Sequence, residues 1–329
     1  MLTVYILRGT ALEPRVIEGE KGLPAGLPEA AVWLDLLNPT IEEDRLVEKL
    51  VGVAIPTREE MQEIEISSRL YIENGARYMT ATLMSQSDTP SPVTTPVSFI
   101  LAGQRLVTVR YDEPRPFAMT RHKLGRACPS NVTGRTVLMD LLDAVIDRNA
   151  DILERIGMEV DQVSQKVFET RRSRGGSSRV YQGILYAIGR KGDLTSKVRE
   201  SLVSIGRLVL FLAQEGDDMR WSKEMRAQLK TMQRDVQSLS DHTTFLTNSI
   251  TFLLDAMLGL VSIEQNNIIK LFSVVAVVLM PPTLVGTIYG MNFEYMPELK
   301  WAAGYPTALI AMIVSAILPY LYFKWKKWL

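Results

Sequence analysis

The sequence predicts an α+β membrane protein: an N-terminal α/β cytosolic domain, a long stalk helix, and two C-terminal transmembrane helices, the stalk continuing into the first. Three observations predict it. Leu271 to Tyr289 is a run of 19 residues without a charge, and Trp301 to Phe323 is a run of 23. About 20 apolar residues cross the hydrocarbon core of a bilayer. No proline occurs between Pro129 and Pro281, which leaves a helical region of unusual length. Before it, the chain reads as short strand-like runs separated by Gly, Pro, Ser and Asn.

In residues 1–130, LTVYIL and AVWLDLL have strand character. Asn38-Pro39-Thr40 before IEEDRLVEKL marks a helix start with acids in its first turn. RLYIENGARYMTATLM is two alternating segments around Asn74-Gly75, a hairpin signal. VSFILAGQRLVTVRY reads as a second strand pair, and SQSDTPSPVTTP, from Ser85 to Pro96, as a loop. Residues 131–222 read as a cytosolic helical region: one long periodic helix, a helix–helix loop at RRSRGGSS (171–178), a second helix over about 179–214, and a break at QEGDDMRWSK (214–223). No strong stop then occurs before Gly290. Residues 223–270 are therefore the stalk, 271–289 the first span, 290–300 an outer loop, 301–323 the second span and 324–329 a basic tail. A helix over 224–289 is roughly 100 Å long at 1.5 Å per residue. No small domain buries such a helix, and its Phe245, Phe252, Met257, Leu260 and Ile263 need neighbours, which symmetric self-association supplies.

The flanks set the orientation. Tyr289, Trp301, Tyr305, Tyr320, Tyr322, Trp325 and Trp328 cluster at the ends of the spans, as aromatics do at membrane interfaces. Lys270 precedes the first span; Lys324, Lys326 and Lys327 follow the second; the link holds Glu294, Glu298 and Lys300. The positive-inside rule puts both termini in the cytoplasm and the link outside, in a multi-pass protein of the cell inner (plasma) membrane. Composition narrows the function further. Lys plus Arg and Asp plus Glu are each 37, which gives no support to nucleic-acid binding. Cys128 stands alone, and His122 and His242 are the only imidazoles, so a zinc site of His and Cys is not expected. The opening MLTVYILRGTALEPRV lacks the pattern of a cleaved signal peptide. With no Gly-rich phosphate loop and no nucleophile–base set, neither an enzyme nor a cofactor is expected.

One face of the first span carries the candidate site. It reads Asn266, Ile269, Ser273, Ala276, Met280, Thr283, Thr287 and then the corner Gly290-Met291-Asn292. The face is small or weakly polar, with apolar rungs and no ionised residue. Taken singly, Ser273, Thr283 and Thr287 equally describe a helix packing face; together with the corner they describe a pore. Pro281-Pro282 removes two backbone donors and strips the carbonyls near Val277 and Val278 of their usual partners, which suits a wet cavity. Asn292 offers a neutral amide oxygen at the outer mouth. A ring of such oxygens holds a hydrated divalent ion such as Mg²⁺ through its water shell without trapping it. Glu294 and Glu298 raise the local cation concentration.

Tyr289-Gly290-Met291-Asn292 followed by Phe293-Glu294-Tyr295-Met296-Pro297-Glu298-Leu299 resembles the signature of the CorA family of magnesium and cobalt transport proteins. The likeness continues through Gly304-Tyr305-Pro306 to the tail KWKKWL and, in overall plan, covers essentially the whole chain. The resemblance implies a funnel-shaped homopentamer in the bilayer, with the first span of each subunit lining the pore. It implies an outer selectivity site at Gly290, Met291 and Asn292, a pore-facing Asn266 near the cytosolic mouth, and hydrophobic constrictions at Ile269, Phe272 and Met280. Ile269 stands where some relatives carry Met, and small residues vary at Gly286-Thr287. The implied activity is channel-like Mg²⁺ influx, with Co²⁺ and, as a further candidate, Ni²⁺ also permeating; cytosolic Mg²⁺ bound between subunits holds the channel closed. Asp140, Asp143, Asp147, Asp235, Asp241 and Asp255 are acids that could sense that ion, and Asp235 and Asp241 lie on the helix leading directly to the pore. Two other readings stay open: a ZntB-like zinc transporter, and a membrane-anchored helical scaffold or sensor without transport.

Overall fold

The computed structural model describes residues 1–17, 26–129, 131–170, 178–215, 221–292, 294, 296–326 and 328. Most of the RRSRGGSS loop, residues 216–220 of the QEGDDMRWSK break, and Phe293, Tyr295 and Lys327 lie outside the described residues. The chain divides into two compact units, Met1–Arg172 with Gln182–Leu253, and Ser173–Tyr181 with Leu254–Leu329.

The first unit is built on a seven-stranded sheet of order β2-β1-β3-β7-β6-β5-β4. Its strands are β1 (Leu2–Arg8), β2 (Ala11–Ile17), β3 (Ala31–Leu37), β4 (Leu70–Glu73), β5 (Ala76–Ser85), β6 (Val93–Ala102) and β7 (Arg105–Arg110). Only the β3–β7 pair is parallel. Side chains alternate between the two faces. Leu34, Leu36, Ile100, Val107 and Val109 point to one side, where helix α1 (Ile41–Val51) supplies Leu46 and Val47. Trp33, Met79, Phe99 and Leu106 point to the other. There they pack on α4 (Arg115–Arg126), α5 (Gly134–Thr170), α6 (Ser178–Gln214) and the first part of α7 (Lys223–Tyr289) through Phe117, Leu138, Leu142, Leu208, Leu212 and Met232. Two short helices, α2 (Arg58–Gln62) and α3 (Ile66–Arg69), precede β4.

Local chemistry explains the joints. Thr40 caps α1: its Oγ1 accepts from the Glu43 N–H at 3.3 Å, and the Glu43 carboxylate accepts from the Thr40 N–H at 2.9 Å, a capping box. Asn74 and Gly75 have φ of 49° and 77°, the paired left-handed geometry of a tight hairpin turn. Gly134 starts α5 hard against β7: a Cβ there would lie 2.3 Å from the Leu106 backbone N. A buried polar network crosses the parallel pair. Arg110 donates to both carboxylate oxygens of Asp35 at 3.0 and 2.8 Å, Thr108 Oγ1 donates to Asp35 at 2.8 Å, and Trp33 Nε1 donates to Thr108 Oγ1 at 2.9 Å. The Arg110 guanidinium also lies 4.6 Å from the Phe117 ring centre, so its remaining face is covered by π-electron density.

The second unit contains the end of α7, a 3-10 turn at Pro297–Lys300 and helix α8 (Gly304–Trp325). Helices α7 and α8 are both long and apolar enough to cross a membrane, and α8 has no buried residue. Its half-buried residues, among them Gly304, Ala308, Met312 and Pro319, lie along one face, and the rest of its apolar surface is exposed in the single chain, as suits a helix facing lipid.

Candidate ion pathway

Helix α7 runs unbroken through Pro281-Pro282 to Tyr289, and its final part has two distinct sides. Helix α8 lies on one of them. The two helices approach at both ends: a Cβ on Gly286 would meet Met312 Cε at 2.9 Å, and Lys270 Nζ lies 5.5 Å from the ring centre of Trp328, just after α8. Val274 is 3% exposed, and Val278, Pro281, Pro282 and Val285 are half-buried on this side. At about 100° per residue, Ile269, Ala276, Met280, Thr283 and Thr287 project from the opposite side, centred roughly 170° away. Asn266 and Ser273 sit on one flank of that row and Phe272 on the other. All eight are exposed in the single chain, with Ile269, Phe272 and Met280 at 62%, 70% and 67%. The structure thus places the row from Ile269 to Thr287 away from α8, with Asn266 at its edge, one turn before Lys270.

The hydroxyls of this row are spoken for as donors. Ser273 Oγ donates to the Ile269 carbonyl at 2.8 Å, Thr283 Oγ1 to Met280 at 2.8 Å and Thr287 Oγ1 to Thr283 at 2.7 Å. A hydroxyl has one proton and two lone pairs. With the proton turned back into the helix, each oxygen presents only acceptor density outward. That polarity favours a cation and its inner water shell over an anion.

The row ends at the corner. Gly290 donates its N–H to the Gly286 carbonyl at 3.0 Å, and Met291 donates to Ile288 at 3.3 Å, closing α7. Gly290 is not in the left-handed region; its demand is space. A Cβ there would lie 3.1 Å from the Gly286 oxygen and 3.5 Å from that of Thr287. Met291, Asn292 and Glu294 are exposed beyond it. Behind the corner, Gly286, Gly290, Trp301, Gly304, Tyr305 and Met312 line a cavity of about 380 Å³. The close approach of Gly286 to Met312 was not read from the sequence. Its one available signal is the Gly286-xxx-Gly290 spacing, which lets membrane helices approach closely.

The cytosolic acids fall into a different pattern. Asp140, Asp143 and Asp147 on α5 share a neighbourhood with Asp235 on α7 and Lys123 on α4. Burial, and then the Asp147 charge, raise the Asp143 carboxyl above its ordinary value, with Asp140 and Asp235 adding to the effect. Lys123 Nζ donates to Asp140 at 2.7 Å, and that bond raises the Lys123 pKa. Asp235 and Asp241 are exposed, and Asp241 accepts from Gln237 Nε2 at 3.0 Å. Among the described residues, no three carboxylate, imidazole or thiol groups converge closely enough to hold a metal ion within one chain.

Comparison with known proteins places this geometry. The sequence model of the family described as "CorA-like Mg2+ transporter protein" matches residues 28–326. The chain is 35% identical over 299 residues to the magnesium transport protein CorA of Escherichia coli (strain K12), covering 91% of this chain and 92% of that protein. Identity and coverage are the same for the magnesium transport protein CorA of Salmonella typhimurium. Among solved structures, the complete CorA magnesium transporter from Methanocaldococcus jannaschii superposes with a TM-score of 0.76 at 17% identity, over 100% of this chain and 99% of that one. The ZntB cytoplasmic domain from Vibrio parahaemolyticus is similar at a TM-score of 0.57 and 9% identity, over 78% of this chain and 95% of that domain. Likeness at such low identity speaks for the fold alone.

Proposed function

Because this chain belongs to the family of CorA-like Mg²⁺ transporters, we propose that it is the subunit of a homopentameric channel that admits Mg²⁺, with Co²⁺ and Ni²⁺ as further permeating ions. The observation that carries the reading is the row on α7: an uncharged face opposite α8, its hydroxyl protons turned inward, ending at Gly290-Met291-Asn292. Symmetry copies of that face surround a water-filled path whose walls accept hydrogen bonds from hydrated cations. Ile269, Phe272 and Met280 form its narrow apolar rungs, Asn266 its cytosolic end, and Asn292 the ring that selects the hydrated ion, with Glu294 concentrating cations outside. Mg²⁺ sheds water reluctantly, so an amide ring that binds through the water shell discriminates without slowing release.

In this reading, residues 1–130 and 131–222 are the cytosolic body and 223–270 the stalk. Residues 271–289 and 301–323 are the spans, 290–300 the outer loop and 324–329 a cytoplasmic tail, in a plasma membrane with both termini inside. Cytosolic Mg²⁺ joins carboxylates of neighbouring subunits, Asp235 and Asp241 among them, and keeps the assembly closed. Replacing Asn292 with Ala tests the ring: Mg²⁺ uptake falls at least tenfold while the oligomer still assembles on a sizing column. Wild-type uptake in that variant would remove Asn292 from the mechanism.

A further inference from the structure

Strand β4 stops early. Its four residues pair with Ala76 to Met79, and the rest of the ten-residue β5, residues 80–85, has no strand on that edge. Helix α6 covers part of the gap: Ser204 Oγ accepts the Thr82 N–H at 2.8 Å. What stays open is a notch of about 520 Å³. Arg199, Glu200, Val203, Ser204 and Arg207 line it from α6, at the spacing of one helix face. Arg69, the last residue of α3, forms part of the facing wall. Its Nε donates to the Glu63 carbonyl and its Nη1 to Thr82 Oγ1 at 3.1 Å, which leaves three of its five N–H groups unspent. Arg110, Arg148 and Arg155 each sit on a carboxylate. By contrast, no carboxylate among the described residues forms an ion pair with Arg69, Arg199 or Arg207. Burial lowers the Arg69 pKa below its ordinary value; the Glu200 charge opposes that and the Arg207 charge adds to it. Three guanidinium charges against the one of Glu200 leave an excess of two. Thr82 and Ser204 act as acceptors in their bonds, so their hydroxyl protons remain to be donated. The rim is apolar: Ile64, Ile66 and Val203 are 89%, 51% and 44% exposed. Glu63 and Glu65, beside Ile64, are exposed and outside the lining.

We propose that this notch is a binding site for a nucleoside phosphate. A terminal phosphoryl group carries close to two negative charges and three acceptor oxygens, which matches the excess charge and the unspent donors. Guanidinium forks hold phosphate oxygens in pairs. A lone carboxylate would supply half the charge and leave one arginine without a counter-ion. The apolar rim gives the base a dry wall, and an arginine plane stacks on such a ring. A ligand seated here ties α6 to the α3–β4 segment across the open edge of β5. Every residue involved belongs to the first compact unit, so the proposal stands apart from the ion path on α7.

The test titrates the full-length protein in detergent with ADP, pyrophosphate and adenosine by calorimetry, with EDTA present so that metal binding does not contribute. Wild type is expected to bind ADP saturably with a Kd below about 1 mM. Pyrophosphate lacks the base and binds about tenfold more weakly; adenosine lacks the charge and shows no heat. Arg199→Gln/Arg207→Gln removes two exposed guanidinium groups that pair with no carboxylate. It is expected to weaken ADP about ten- to hundredfold and to leave Tm within about 2 °C of wild type. Arg15→Gln, on the exposed strand β2 at the far edge of the sheet, controls for net charge and stays within about twofold. No saturable ADP binding, an affinity that survives loss of both arginines, or pyrophosphate or adenosine bound as tightly as ADP would each overturn the proposal. So would an oligomer that falls apart in the double variant on a sizing column, because the notch would then be a contact between subunits.

Discussion

Removing Asp35 tests how the cytosolic sheet is held. Arg110 is fully buried and Asp35 nearly so, and the guanidinium spends two of its donors on that carboxylate. Asp35→Ala leaves a buried charge whose remaining polar partners are the Asp112 carbonyl at 2.9 Å and the outlying Glu113 carboxylate at 3.9 Å. It also takes from Thr108 its 2.8 Å acceptor. Breaking a buried pair by deleting one partner costs about 3–5 kcal/mol. For a unit of this size, 1 kcal/mol moves Tm by about 2–4 °C, so the expected fall is about 6–20 °C. Trp33 donates to Thr108 inside this network and stacks on Tyr5 at 4.2 Å, so tryptophan fluorescence during a thermal scan of the full-length protein in detergent reports the event. The double variant Asp35→Leu/Arg110→Met removes both charges and regains most of the loss. A Tm for Asp35→Ala within about 2 °C of wild type would refute the reasoning, because no orphaned charge would then have been created.

Two further outcomes follow from the acids. Burial, with the charges of Glu48 and Glu43, pushes Asp44 up to about 6 from 3.8. The folded state therefore holds this proton more tightly than the unfolded chain, and the associated stability is present below pH 3.8 and lost as pH rises through about 6. Because the side chain is half-exposed, the full shift of about 3 kcal/mol is screened to about 1 kcal/mol. Asp44→Asn should raise Tm by a few degrees at pH 8 and leave it unchanged at pH 4; equal shifts at both would refute the assignment. For the proposed sensor, Asp235→Asn/Asp241→Asn relieves like-charge repulsion that Mg²⁺ otherwise neutralises between subunits. It should raise the cytosolic Mg²⁺ needed for half-inhibition about tenfold or more, and weaken Mg²⁺-dependent protection from protease; wild-type values of both would move the sensor elsewhere.

Much of the fold was legible because its signals are local. Asn74-Gly75 needs no distant partner to turn, Thr40 and Glu43 cap α1 between themselves, and a charge-free run of 19 residues announces a span by length alone. Elements that depend on context were not legible. Strand β2 carries Pro14 and a row of exposed residues, which an edge strand tolerates but which reads as a loop. Helix α4 starts among Pro114, Arg115 and Pro116 and is held by the burial of Phe117 and Leu124. The Asp35–Arg110 pair spans 75 residues, and no local pattern joins them. At the candidate site, the row from Asn266 to Thr287 follows from helical spacing, but which side of α7 receives α8 depends on the Gly286–Met312 approach. The grouping of Asp235 with the α5 acids likewise required the packed helices.

The central claim, that this chain alone forms a path for hydrated Mg²⁺, is tested most directly by ion flux. Purified protein is placed in liposomes containing a Mg²⁺-sensitive dye, and Mg²⁺ is added outside with and without Co(III) hexaammine, which has the shape of a hydrated divalent ion but cannot shed its ligands. Rapid Mg²⁺ entry that the complex blocks from the outer face is the predicted result. Liposomes that stay dark with Mg²⁺, or that pass Zn²⁺ alone, would contradict it.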